Sequence, residues 1–155
     1  MNNKGVTLVE LLVVFIIIAI GALLLAPNIG GFLTSYRLRT AARDVASTMR
    51  TAQMRAVSTN SIYGVGFGAN DCQLYRLLRT SGGLVISDGT EGAPSNLPKG
   101  VSFANNNFPP NASLGMPCAQ FNPDNTASAG GVTLQGKKGS RRITVTSATG
   151  RVRIE

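Results

Sequence analysis

From Leu11 to Ala26 the chain reads LLVVFIIIAIGALLLA, sixteen residues without a polar side chain. No charge occurs from Leu11 to Tyr36, a span of 26 residues. As an α-helix that span is about 39 Å long at about 1.5 Å per residue, against a bilayer core of about 30 Å. A helix apolar on every side is a core helix only inside a large protein, and 155 residues cannot easily wrap one. The stretch therefore predicts a membrane-spanning segment. A secretory signal peptide is the rival reading, with an apolar region of about 7–15 residues and a small-x-small cleavage site. Here the run is longer and passes into Pro27-Asn28-Ile29-Gly30-Gly31 with no convincing small-x-small cut.

One carboxylate stands at the head of this run, Glu10 in VTLVELLVV. An acid at membrane depth costs about 2.5–3.5 kcal/mol on insertion scales and marks a functional candidate. A positive partner in the same layer would offset the cost. Lys4 lies in the short polar leader MNNKG. Removal of that leader after Gly5 would give Val6 a free α-amino group, one helical turn from Glu10. The two could pair within a chain or between neighbours packed with a stagger. Losing one partner of a buried pair is costly, so a Glu10→Ala chain should assemble poorly.

MNNKG-VTLVELLVVFIIIAIGALLLAP resembles the class III signal of type IV prepilins and type II secretion pseudopilins. The matching features are the basic leader ending in Gly5, a cut before Val6, and Glu10 as the fifth residue after it. Pro27 falls where that family has its helix-kinking proline. The resemblance implies a membrane aspartyl peptidase that cuts after Gly5 and methylates Val6, and a role for Glu10 in recruitment into a filament. Val6 departs from the Phe usual there, which bears on processing rate or methylation.

Residues 30–60 predict an amphipathic continuation of the helix. Leu38, Ala42, Val45, Met49, Ala52 and Ala56 form one apolar stripe of mostly small residues, able to lie close against a sheet. Arg39, Arg43 and Arg50 gather on another face, either as a solvated surface or as a contact for neighbouring subunits or a polyanion. Arg37-Leu38-Arg39, Ala41-Ala42 and the Ala52-to-Val57 segment make this helix similar to that of GspH/FimT-type minor pilins and pseudopilins. The likeness covers about residues 1–60 well. It implies the pilin fold, an α+β architecture with a long N-terminal helix packed on antiparallel β-sheets. The expected organisation is a leader over 1–5, an apolar helix over 6–31, and a periplasmic or extracellular domain over 32–155. Within that domain the helix takes 32–60 and β structure takes 61–155.

From Ser61 the pattern turns to strands. Candidates are Ile62–Phe67, Leu74–Arg79, Leu84–Ser87, Val101–Ala104, Val132–Gln135, Ile143–Thr146 and Arg151–Ile154. Turns are expected at Ser87-Asp88-Gly89, Pro98-Lys99-Gly100, Gly130-Gly131, Gly139-Ser140 and Thr149-Gly150. Asn105–Asn111 and Asn122–Gly130 read as surface loops.

Histidine is absent, which excludes Ser-His-Asp and Cys-His catalysis and His-based metal or haem sites. Gly64-Val65-Gly66-Phe67-Gly68 opens no helix, so it is no dinucleotide loop. The loop acids Asp71, Asp88, Glu91 and Asp124 show no paired spacing. No enzyme, cofactor or metal is expected. Cys72 and Cys118 lack further zinc ligands and CxxC spacing. Delivery outside the inner membrane, which the resemblance implies, is delivery to an oxidising compartment. A Cys72–Cys118 disulfide is the expectation there, with two free core thiols as the alternative.

Charge is segregated. Residues 30–60 carry five Arg and one Asp, and residues 137–155 carry six basic side chains against Glu155. The 76 residues between hold three basic and four acidic side chains. The tail basics are Lys137, Lys138, Arg141, Arg142, Arg151 and Arg153. Period-two alternation puts Val152 and Ile154 on a core face, and Arg151 and Arg153 on an open face near Thr144 and Thr146. Such an array would make sequence-independent, salt-sensitive contacts to phosphates of double-stranded DNA. An edge strand whose charges oppose aggregation is the plainer reading. Gly150-Arg151-Val152-Arg153 matches the GRxR tail of FimT-type minor pilins that bind DNA in natural transformation.

Three functions are left open. The first is a FimT/FimU-type minor pilin in a type IV pilus, acting in assembly or at the tip and binding DNA through the tail. The second is a GspH-type minor pseudopilin of a type II secretion system. The third is a membrane-anchored binding domain that never polymerises. The implied partners are other pilins or pseudopilins, the prepilin peptidase and the inner membrane. The implied location is the inner membrane before assembly, and a periplasmic or cell-surface filament after it.

Overall fold

The structure, a computed structural model, describes residues 5–80 and 83–155, with side chains given outside 24–30 and 80–88. Leader residues 1–4 lie outside it. The chain divides into two units, Met1–Leu33 and Thr34–Glu155.

Helix α1 runs from Leu8 to Ser58, 51 residues. Its start is set by Thr7, whose Oγ1 accepts the Glu10 N–H at 3.3 Å, while the Thr7 carbonyl accepts the Leu11 N–H at 3.2 Å. Thr7-x-x-Glu10 is thus a capping-box sequence, with the acid in the first turn where the helix dipole favours it. At the far end Asn60 takes a left-handed φ of 49° and stops the helix. Among the described residues of the first unit the apolar side chains stand bare: Leu8 is 81% exposed, Phe15 63% and Leu23 75%. Among the described residues no helix is long and apolar enough to cross a membrane. The expected segment 6–31 includes Leu24 to Gly30, which lie outside the described side chains.

The second unit is α+β, as expected. Its strands are β1 (Ile62–Phe67), β2 (Asp71–Thr80), β3 (Gly83–Asn96), β4 (Val101–Asn106), β5 (Pro110–Asn111), β6 (Met116–Phe121), β7 (Gly130–Gly136), β8 (Gly139–Val145) and β9 (Val152–Ile154). They form two antiparallel sheets, ordered β3-β2-β1-β6-β5 and β4-β7-β8-β9. The stripe read from the sequence is the buried face of the helix, with Val45, Met49, Ala52 and Ala56 fully covered. It shares one core with Val65, Phe67 and Phe121 of the first sheet and Val132, Leu134 and Ile143 of the second. Phe67 stacks on Phe108 and meets Phe103 edge-on, both at 5.6 Å between ring centres.

Four expectations change. Asn105–Asn111 is no surface loop, because its first two residues end β4, its last two form β5, and Phe108 and Asn111 are buried. Ser87-Asp88-Gly89 is no turn, because β3 runs on through it, with register shifts against β2 and positive φ at Gly89 and Gly92. Gly130-Gly131 is no turn either, since both residues begin β7, where a side chain at Gly130 would strike the Phe108 ring. The sequence reading also misses β6, a strand beside β1. Its Pro117 pairs only with Pro110 of the two-residue β5, so the missing N–H breaks no bond to β1.

Candidate functional site

The C-terminal hairpin gathers a group of basic side chains at one edge of the second sheet. Strands β8 and β9 pair Ile143 with Ile154, Thr144 with Arg153 and Val145 with Val152. The ladder continues past both ends. Arg142 and Glu155 exchange two backbone hydrogen bonds, at 2.7 and 3.2 Å, and the Thr146 N–H donates to the Arg151 carbonyl at 3.1 Å. Side chains opposite one another share a face, so Arg142, Thr144 and Thr146 stand with Glu155, Arg153 and Arg151. Arg151 and Arg153 are exposed and Val152 is buried, as the alternation required, while Ile154 remains 37% exposed.

β9 is an edge strand. Hydrogen-bonded pairs alternate along an antiparallel ladder, and here they fall on residues 151, 153 and 155. The N–H groups of Val152 and Ile154 therefore point away from β8. They face a groove of about 870 Å³ lined by Arg50 and Gln53 of α1 and by Thr149 and Arg151 through Glu155. Arg50 and Gln53 are site residues that the sequence reading did not join to the tail. The available signal was the Arg stripe on α1, which lies off the buried stripe on the side where an edge strand could run.

Gly150 explains the glycine of the GRxR tail. Its φ is +59°, and a side chain there would sit 2.8 Å from Gln53 Nε2 and 3.0 Å from the Asn125 carbonyl. Gln53 Nε2 in turn donates to Asn125 Oδ1 at 2.7 Å and to the Thr149 carbonyl at 3.1 Å. The hairpin turn is thus bolted to the helix at Gln53. Asn125 sits in a turn secured by Asp124, which accepts from Thr126 N–H and Oγ1 at 3.0 and 2.6 Å. Those bonds hold the Asp124 carboxyl below its ordinary range.

The other tail basics separate. Arg141 points to the helix side and lines a pocket with Arg39, Ala42, Arg43 and Ile154. Lys137 and Lys138 form the two-residue loop between β7 and β8. They lie about 20 Å along the strand from the Thr144–Arg153 pair, at about 3.3 Å per residue. Lys137 instead lines a pocket with Arg37 and Lys99. Among the described residues the one ion pair is Arg55–Glu91, so none of these basic side chains is matched to a carboxylate in a salt bridge. Glu155 is the acid in the β9 groove, and its Oε1 accepts from Thr144 Oγ1 at 3.4 Å.

The disulfide expectation is corrected, for both cysteines are free. Cys72 on β2 and Cys118 on β6 flank β1, so they sit two strand spacings apart, about 9.5 Å. Gly66 lies opposite both Gln73 and Cys118, so those two share one face and Cys72 occupies the other. Cysteines on opposite faces across an intervening strand cannot reach disulfide geometry. Burial pushes the Cys72 thiol up to about 11 and the Cys118 thiol up to about 12, so both are protonated and inert at neutral pH. Gly64 in β1 makes room for Cys118: a side chain there would lie 2.6 Å from its Sγ. At the N-terminus, Gly5 and Val6 precede the helix and Glu10 stands in its first turn, all three exposed.

Comparison with known proteins decides the family. Residues 41–150 match the profile described as type II transport protein GspH, and residues 1–26 match the prokaryotic N-terminal methylation motif. The chain belongs to the GspH family. No curated protein matches this sequence. Among solved structures, this GspH-family chain is similar to the minor pseudopilin EpsH from the type 2 secretion system of Vibrio cholerae. Identity is 12% and TM-score 0.57, covering 77% of this chain and 96% of that one. It is similar also to the type IV minor pilin FimU of Pseudomonas aeruginosa, with 15% identity, TM-score 0.55, and 80% and 92% coverage. At such identities the likeness is one of fold.

Proposed function

We propose that this GspH-family protein is a minor pilin of FimT/FimU type, a non-enzymatic subunit of a type IV pilus that binds duplex DNA. In this reading the leader over 1–5 is removed by a prepilin peptidase that methylates Val6. The segment over 6–31 then sits in the inner membrane as a single pass until it enters the filament core. The bare apolar side chains of the first unit support it, because they need lipid or neighbouring helices to cover them. Glu10 stands in the first turn of its own helix and offers the carboxylate that a neighbour's Val6 ammonium would meet. Assembly would carry the domain to the periplasm or cell surface.

The observation that carries the DNA reading is the β9 groove, which Arg50, Arg151 and Arg153 line with no salt-bridge partner among the described residues. The test is a titration of duplex DNA against the full chain in detergent. Binding should be strong at low salt and fall steeply as salt rises. Arg151→Gln with Arg153→Gln should remove most of it while leaving the melting temperature unchanged. Equal binding by the double variant would leave only the edge-protection role for these arginines.

A second reading, a minor pseudopilin of a type II secretion system, is favoured by the GspH profile and by the likeness to EpsH. Deleting the gene separates the two: loss of exoprotein secretion with DNA uptake intact would establish the second and overturn the first.

A further inference from the structure

The strand β9 and the helix α1 run side by side in opposite directions. Gly150 packs at Gln53, and four residues later Ile154 lines a pocket with Ala42 and Arg43. The two scales agree. Four strand residues cover about 13 Å, and the ten helix residues from Gln53 back to Arg43 cover about 15 Å. Ile154 lines both the β9 groove and the pocket of Arg39, Arg43 and Arg141. The two basic sites therefore adjoin along one strand edge.

On the reading that the hairpin binds DNA, we propose that the phosphate track continues along the open edge of β9 onto α1, with Arg50, Arg43, Arg39 and Arg141 as further phosphate contacts. Arg39 and Arg50 lie eleven residues apart, about 16 Å along the helix, a length that takes in about five phosphates of one strand at about 3.4 Å each. The Val152 and Ile154 N–H groups facing the groove add neutral donors of the kind that hold phosphate oxygens. Salt-bridge carboxylates are absent from these arginines among the described residues. The occupant is the sugar–phosphate backbone of duplex DNA. A longer run of phosphates binds more tightly and steepens the salt dependence without reading any base.

The experiment measures DNA affinity against salt for the full chain in detergent, unaltered and as three double variants. Arg39→Gln with Arg43→Gln should weaken binding about ten-fold or more and lower the salt slope by about 2, since each phosphate contact contributes about 0.9. Arg55→Gln with Arg76→Gln removes the same charge off the track, on the side of the first sheet where Arg55 meets Glu91 and Arg76 meets Ser61, and should leave the slope unchanged. If the Arg39/Arg43 variant keeps the full slope while Arg151→Gln with Arg153→Gln loses binding, the track ends at the tail and this inference is overturned alone. If the Arg55/Arg76 variant loses as much as the Arg39/Arg43 variant, net charge explains the effect and the track is likewise overturned. No binding by the unaltered chain overturns both the track and the DNA reading beneath it.

Discussion

The two halves of helix α1 invert the usual relation between hydrophobicity and burial. The first half, rich in Leu, Ile and Val, leaves Ile17 63% exposed and Leu23 75% exposed. The second half carries Arg, Ser, Thr and Gln, yet its Ala42, Val45, Ala46 and Met49 are covered to within 1%. Burial follows the partner rather than the residue type. The second half has two sheets to lie on, and its alanines let the backbone come close. The described side chains of the first half stay exposed, and on the proposed function lipid or neighbouring helices cover them.

That contrast can be broken most sharply by placing one charge in each half. Met49→Asp buries an unpaired carboxylate in the core and should cost more than about 4 kcal/mol, enough to unfold the packed unit. Ile17→Asp should leave its thermal transition where it was. Circular dichroism melts of the two chains in detergent compare them directly. Equal melting temperatures would contradict the assigned core.

A smaller effect belongs to the junction of helix and hairpin. Gly150→Ala forces a side chain into a left-handed turn against Gln53 and should destabilise by about 1–3 kcal/mol. DNA affinity should fall with it, because Arg151 loses its register. An alanine variant that melts and binds like the parent would show that the turn is not held at Gln53.

The smallest effect is the pH dependence of the packed unit. The ordinary thiol value is 9.0, and burial raises Cys72 to about 11 and Cys118 to about 12. Below pH about 9 neither folded nor unfolded chain ionises these thiols, and their contribution is complete. Between about 9 and 11 the unfolded chain releases protons that the folded chain keeps, so stability falls as pH rises. Burial likewise raises Tyr75, which adds a decline of the same sign above its ordinary 10.0. Urea midpoints at pH 8 and pH 10 should therefore differ. Cys72→Ala with Cys118→Ala should flatten the slope, and an unchanged slope would refute the burial assigned to the thiols.

The features legible in the sequence are those a single segment defines. The α1 stripe is legible because period 3.6 repeats over Leu38 to Ala56. Strand β1 is read with its bounds intact, and the alternation of β9 places Arg151 and Arg153 correctly. Features that depend on what comes alongside are not legible. Strand β6 is masked by Pro117, whose lost N–H matters only if a partner lies on that side. The disulfide expectation fails because spacing along the chain says nothing of which sheet face each cysteine takes. Arg50 and Gln53 join the site only because β9 runs back along the helix, nearly a hundred residues later in the chain. Their residue types are visible in the sequence, but their juxtaposition is a property of the topology.

The central claim is that the bare half of α1 becomes a filament core once Val6 is freed to meet a carboxylate in the Glu10 layer. Intact-mass and N-terminal analysis of the protein extracted from sheared surface filaments tests it most directly. The account predicts a chain beginning at a methylated Val6, and its disappearance from the filaments when Glu10 is replaced by Ala. A chain that still begins at Met1, or a Glu10→Ala chain incorporated at the parent level, would contradict it.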